Sequence, residues 1–340
     1  MKLVSWFSEI GQGDSTVFGK KCANLGEMSR LKMPVPHGFA ISVTAQEIFL
    51  KETGALQEIQ ELLDKVGVLH DVNLQTEVSR KIRDIIEGKE IPSVLGHAMA
   101  SCYEDLCSER GKEIAVAVRS AGVKSHPGMY ETYLNIRGKQ RVLEMVKKVW
   151  ASTFNVRTVA ARVQQDLPVI ESPCIGVGVL EMVNARCAGV CFTVHPVTGD
   201  PLKAMIEANW GLGESVVSGM VSADIYIVDK GSLKVIEKSL GEKKLQIVPK
   251  GVGISQEEVP PEGRGAYVMR DEEAAEVVKL AKALESHFDQ PQDIEWAIEA
   301  GRPLSQNIYL LQTRPVVGVK VQKPKTTEEQ MIDNLLKKFF

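Results

Sequence analysis

Four polar residues near the end of the chain have the types and spacing for phosphate chemistry. Asp293 and Glu295 stand two apart in Asp293-Ile-Glu295-Trp-Ala-Ile-Glu, and Gln312 and Arg314 stand two apart in Ile308-Tyr-Leu-Leu-Gln312-Thr-Arg314-Pro. A strand's period of two puts the members of each pair on one face. When the two strands pair as a hairpin, two carboxylates, an amide and a guanidinium converge. Carboxylate and amide oxygens are hard ligands suited to Mg²⁺, and a guanidinium grips phosphate oxygens at two points. The set suits a nucleoside triphosphate with its metal. A hairpin with its polar side to water carries the same pattern, although Ile294, Trp296, Ile308, Leu310 and Leu311 make both faces partly apolar.

Three further segments carry chemistry-bearing residues. Gly19-Lys20-Lys21-Cys22 precedes a helical pattern, where main-chain amides and a lysine attract anions, as solvated lysines at helix starts also do without a ligand. No Walker A pattern is present. Arg119 ends an apolar run beside the glycine-containing loop Lys124-Ser-His126-Pro-Gly128, a place for a phosphate clamp or for an ordinary surface ion pair. His126, a lone loop histidine, reads as solvated rather than as a phosphoryl acceptor. In Phe192-Thr-Val-His195-Pro196-Val-Thr198-Gly199 and Asn209-Trp-Gly211-Leu-Gly213-Glu214, ligand approach and plain turn chemistry explain the glycines and prolines equally well.

These residues need elements to hold them. Apolar spacings of three and four predict helices over 22–31, 45–51, 55–66, 72–86 and 94–108, then one over 140–165 and an amphipathic one over 271–288 buried through Val277, Leu280, Ala281, Leu284 and Phe288. Thr44 is the expected N-cap of the second helix. Strands are expected over 38–43, 114–119, 132–136, 175–183, 188–193, 203–208, 223–228, 233–238, 294–299 and 308–313, with Asp229-Lys-Gly231 turning a hairpin. The stretch 326–340 reads as a short docking helix or a frayed end. At 340 residues the chain has the length of about two domains. Its 44% hydrophobic and 25% charged composition is that of a globular protein. A net charge of −3 argues against nucleic-acid binding, and no apolar run is long enough to cross a membrane. Six scattered cysteines without a C-x-x-C pair suggest reduced thiols in a cytoplasmic protein.

In this order, the segments Gly19-Lys-Lys-Cys-Ala-Asn-Leu-Gly-Glu-Met, Pro34-Val-Pro-His-Gly-Phe, Val118-Arg-Ser with Ser125-His-Pro-Gly-Met, Gly189-Val-Cys-Phe-Thr with Pro196-Val-Thr-Gly, Gly211-Leu-Gly-Glu-Ser, and Asp293-Ile-Glu with Leu310-Leu-Gln-Thr-Arg-Pro resemble the nucleotide-binding domain of the phosphoenolpyruvate synthase and pyruvate phosphate dikinase family. The likeness spans about 13–317. It implies an α/β (α+β) ATP-grasp fold with ATP between two lobes, 1–182 and 183–318, followed by a linker and docking helix over 319–340. Carried over, Lys21 and Arg119 contact phosphates, Glu295 and Gln312 hold Mg²⁺, Arg314 stabilises the transferring group and Asp293 supports it. Glu181, Met182 and Val183 form the hinge that reads the adenine edge.

Two features depart from the family pattern. Its Gly-Gly-Lys is Gly19-Lys20-Lys21 here, which leaves open which lysine reaches the nucleotide, and the 17-residue interval from Glu295 to Gln312 is longer than usual. Full-length members carry the phosphate-accepting histidine in a Gly-Gly-x-x-x-His segment, which this sequence lacks. The chain is therefore similar to the free-standing ATP-binding subunit of the phenylphosphate synthase branch, which implies a separate partner subunit bearing a phosphorylatable histidine and phenol as final acceptor. A truncated phosphoenolpyruvate synthase domain, a rifampicin-type phosphotransferase and a non-catalytic regulatory subunit are the alternative readings.

Overall fold

The computed structural model describes residues 2–69, 71–123, 129–304 and 306–322, so His126 with its loop and the stretch 326–340 lie outside the described residues. The chain divides into two compact units. The first runs to Val183 and takes in Pro249–Ser255; the second holds Asn184–Val248 and continues from Gln256.

In the first unit come β1 (Val4–Trp6), α1 (Ser15–Phe18), α2 (Lys20–Arg30), β2 (Gly38–Ile41), α3 (Val43–Glu52), α4 (Ala55–Val66), α5 (Val72–Gly88) and α6 (Ser93–Arg110). β3 (Val116–Ala121), β4 (Thr132–Ile136), α7 (Lys139–Ala151), α8 (Val156–Gln164) and β5 (Gly176–Glu181) follow. The sheet order is β1-β2-β5-β3-β4, each neighbour antiparallel. β5 is the central strand, buried along its length until Glu181. Helices α3, α6 and α7 pack on this sheet. The core includes Phe49 and Trp150, fully buried with ring centroids 5.0 Å apart; burying a side chain such as Phe49 contributes roughly 1.5–3 kcal/mol.

The second unit carries β6 (Ala185–Phe192), β7 (Lys203–Trp210), α9 (Glu214–Val217), β8 (Asp224–Asp229), β9 (Val235–Ser239), all but the last residue of β10 (Leu245–Pro249), the last three residues of β11 (Ile254–Glu258), α10 (Pro261–Arg264), α11 (Asp271–Phe288), β12 (Gln292–Glu299) and β13 (Ile308–Pro315). Its six-stranded sheet runs β13-β12-β6-β7-β8-β9, antiparallel throughout, and β10 pairs with β11. Cys191 and Cys187 stand opposite Ile294 and Ile298, and they feel the charges of Glu285 and Glu273 on α11. α11 packs on β6 and β12, and Ile294, Trp296 and Ile298 of β12 are all fully buried. By alternation, Asp293 and Glu295 belong to the other face.

One ion pair of this unit is wholly internal. Asp224 and Lys243 are both 0% exposed. Oδ1 of Asp224 accepts from the Lys243 ammonium and from the Gly241 N–H at 2.8 Å, and Oδ2 accepts from the Val268 N–H at 2.9 Å. Lys243 also donates to the Gly241 carbonyl at 3.1 Å. A buried charge pair is tolerated when its remaining polar atoms are bonded, and here both carboxylate oxygens are.

The mixed helix and strand architecture matches the sequence expectation, and three local readings need correction. Thr44 lies inside α3; the N-cap is Ser42, whose hydroxyl accepts from the Ala45 N–H at 3.2 Å. The single helix expected over 140–165 is two, because Asn155 caps a new one by accepting from the Thr158 N–H at 2.9 Å. The buried stripe of α11 is Ala274, Val277, Val278, Ala281 and Leu284, with Leu280 and Phe288 only half-buried. All six cysteines are free thiols. Burial pushes Cys22 and Cys187 up to about 12. Among the described residues no helix is long and apolar enough to cross a membrane.

Candidate functional site

The β12–β13 hairpin forms, and its register pairs Asp293 with Arg314 and Glu295 with Gln312. Each acid faces a nitrogen-bearing side chain across the hairpin. Arg314 Nε and Nη2 both reach Asp293 Oδ2 at 2.8 Å, and Gln312 Nε2 donates to Glu295 Oε1 at 2.8 Å. The second bond turns the amide nitrogen toward Glu295 and the amide oxygen away from it. A register shift between Glu295 and Trp296 leaves Leu311 as the extra residue of β13. Because the shift precedes Gln312, the period of two still holds for Gln312 and Arg314.

Asp293 is the tensest group of the face. Its side chain is only 10% exposed, and Oδ1 is buried without a hydrogen-bond partner. Burial raises its carboxyl pKa against the pull of Arg314, and the neighbouring Glu295 charge raises it further. Sequence reading missed Glu207, which lies on β7 in register with Val190, itself opposite Glu295. Burial, and then the Asp293 charge, raise the Glu207 carboxyl as well. The signal was present as an acid between Ile206 and Ala208 in an otherwise apolar strand interior, yet its proximity to Asp293 depends on the strand order.

Among the described residues no group of three or more His, Cys, Asp or Glu side chains is arranged to hold a metal. The hairpin instead offers one carboxylate and one amide oxygen, with an orphaned buried carboxylate oxygen beside them. Mg²⁺ is commonly held by one or two protein ligands with phosphate oxygens and water completing its shell, so this donor set fits it.

In the first unit, Gly19 adopts φ +78°, and a Cβ there would lie 1.8 Å from the Ala121 carbonyl oxygen. Only glycine permits both the conformation and this close approach. The Lys20 N–H donates to the Gly122 carbonyl at 3.0 Å, which seats the start of α2 against the end of β3. Lys20 is exposed, whereas Lys21 and Arg119 are half-buried. Both of the latter bear on Cys22, whose thiol burial raises and these two cations pull back down. The structure thus brings Lys21 and Arg119 to one place.

Glu181 closes β5, and Met182 and Val183 follow it as the last residues of the unit's first segment. The Glu181 N–H donates to the His37 carbonyl at 2.8 Å and the Met182 N–H to the Ala115 carbonyl at 2.9 Å. At His195 the chain forms a turn, with the ring Nδ1 accepting from the N–H groups of Val197 and Thr198, both at 3.3 Å.

A family model described as the AMP/ATP-binding domain of pyruvate phosphate dikinase matches residues 15–334. A probable phosphoenolpyruvate synthase of Archaeoglobus fulgidus is 40% identical over 332 residues, covering 96% of this chain and 43% of the relative. One of Methanothermobacter thermautotrophicus is 38% identical over 323 residues, with 93% and 46% covered. The phosphoenolpyruvate synthase of Pyrococcus furiosus is 31% identical over 376 residues, with 97% and 45% covered. The chain spans less than half the length of these curated relatives.

Proposed function

The chain belongs to the pyruvate phosphate dikinase AMP/ATP-binding domain family, and from that premise we propose an ATP- and Mg²⁺-dependent phosphotransferase module with an ATP-grasp arrangement. Lys21 and Arg119 bind phosphates, with Lys21 favoured over the exposed Lys20 by its half-buried place beside Arg119. Glu295 and Gln312 supply the oxygens that hold magnesium. Arg314, aligned by Asp293, stabilises charge on the transferring group, and the main chain of 181–183 reads the adenine. Magnesium, when bound, neutralises charge on the phosphate oxygens. Phosphoryl transfer is served mainly by positioning and charge stabilisation, which is what these side chains offer.

The observation that carries this reading is the cross-strand pairing of Asp293 with Arg314 and Glu295 with Gln312 on one face. The acceptor we propose is a histidine on a partner subunit. Its ring nitrogen bonds to the β-phosphorus of ATP, the bond from the α,β-bridging oxygen to that phosphorus breaks, and AMP leaves; water then removes the terminal phosphate. For the final acceptor, the names of the relatives favour pyruvate, giving phosphoenolpyruvate. The likeness to the phenylphosphate synthase subunit points instead to phenol.

ATP labelled at the β-phosphate tests both steps. Label is expected on a histidine of the partner and then on one of the two acceptors, with AMP released. ATP binding without label on any partner histidine sinks the transfer reading.

A further inference from the structure

We propose that Arg110 is a positioning residue for the nucleotide base, holding the 181–183 main chain in place through the Glu181 carboxylate. This rests on the reading of 181–183 as the adenine-reading segment. Arg110 is the last residue of α6, which ends in a left-handed Gly111. The Lys112 N–H donates back to the Cys107 carbonyl at 3.2 Å and the Gly111 N–H to Ser108 at 3.1 Å, so the final turn has a defined end.

From that turn the guanidinium forks onto Glu181. Arg110 Nε lies 3.0 and 3.1 Å from the two carboxylate oxygens, and Nη2 lies 2.6 Å from Oε2. The neighbouring Glu109 meets His37 Nδ1 at 3.2 Å, and it is the His37 carbonyl that takes the Glu181 N–H. The end of β5 is thus held at three points: the Glu181 N–H, the Met182 N–H and the Glu181 side chain. With two N–H groups consumed, base recognition falls to the carbonyls and to the Val183 main chain, whose directions depend on how residue 181 is set.

A bidentate guanidinium–carboxylate contact fixes geometry in a way that a point charge does not.

The test titrates ATP, GTP and inorganic tripolyphosphate, each with Mg²⁺, into the full chain and its Arg110→Ala and Arg110→Lys variants, with thermal melting of each. Arg110→Ala is expected to weaken ATP about tenfold, the scale of one good charge-assisted contact, to narrow the preference for ATP over GTP, and to leave tripolyphosphate binding unchanged. Arg110→Lys restores the charge without the fork and recovers the affinity only in part. Undiminished ATP binding by Arg110→Ala overturns the proposal. So does an equal loss of tripolyphosphate, which marks a merely structural role. A wild-type chain that binds tripolyphosphate as tightly as ATP sinks the base-reading segment itself, and the proposal with it.

Discussion

Asp224 and Asp293 are carboxylates of one six-stranded sheet, each with a cationic partner, and they are built in opposite ways. Asp224 has both oxygens bonded and its partner Lys243 is sealed from water. Asp293 gives Arg314 a single oxygen, keeps the other buried and unmatched, and its partner's side chain is 37% exposed. A satisfied charge holds the fold together, whereas an unsatisfied one is retained at a cost that something other than stability must offset. On this comparison Asp224 is a structural acid, and Asp293 is the one we propose for the site.

The largest effect should come from the structural pair. Asp224→Ala strands the Lys243 ammonium and is expected to cost about 3–5 kcal/mol, read by urea denaturation; a loss no greater than that of Asp293→Ala breaks the comparison. Next comes Arg314→Ala, expected to lower phosphotransfer by about 10²–10³-fold with little change in the melt. Equal activity of wild type and Arg314→Ala removes Arg314 from the chemistry.

Asp293→Asn sharpens the comparison through pH. An acid whose folded pKa is raised holds its proton more tightly folded than unfolded, so its stabilising contribution is full below the unfolded value, about 3.9 for Asp. That contribution is lost as pH rises through the folded value. Asparagine lacks this slope. Asp293→Asn should therefore gain on wild type as pH rises from about 4, staying within about 1 kcal/mol of it overall, while phosphotransfer falls. A wild-type advantage that grows with pH contradicts the raised carboxyl. The smallest effect concerns Glu207: in Asp293→Asn its carboxyl should titrate at lower pH, followed by side-chain carbon NMR, because a like charge has gone.

Much of the hairpin was legible because each strand carries its own period, so the faces of Asp293, Glu295, Gln312 and Arg314 follow from local spacing. α4 and α11 likewise match their periodic runs to the residue. What escaped depends on distant partners. Glu207 joins the acidic face only because β7 pairs with β6 and β6 with β12, an order that no local window contains. Lys243 sits in Gly-Glu-Lys-Lys, a sequence that reads as solvated turn, yet it is buried by its bonds to Asp224 and Gly241. Strands β1, β10 and β11 are only three to five residues long, too short for a period to show, so pairing defines them. The break at Asn155 was decided by one side chain choosing the cap over the helix interior.

The buried thiols make each half of the molecule its own clock. Cys22 belongs to the first unit and Cys187 to the second, and both stay protonated and shielded while their surroundings are closed. An alkylating reagent therefore reaches each sulfur at the rate at which that unit opens, and mass spectrometry of the two peptides times the openings separately in a single unmodified chain.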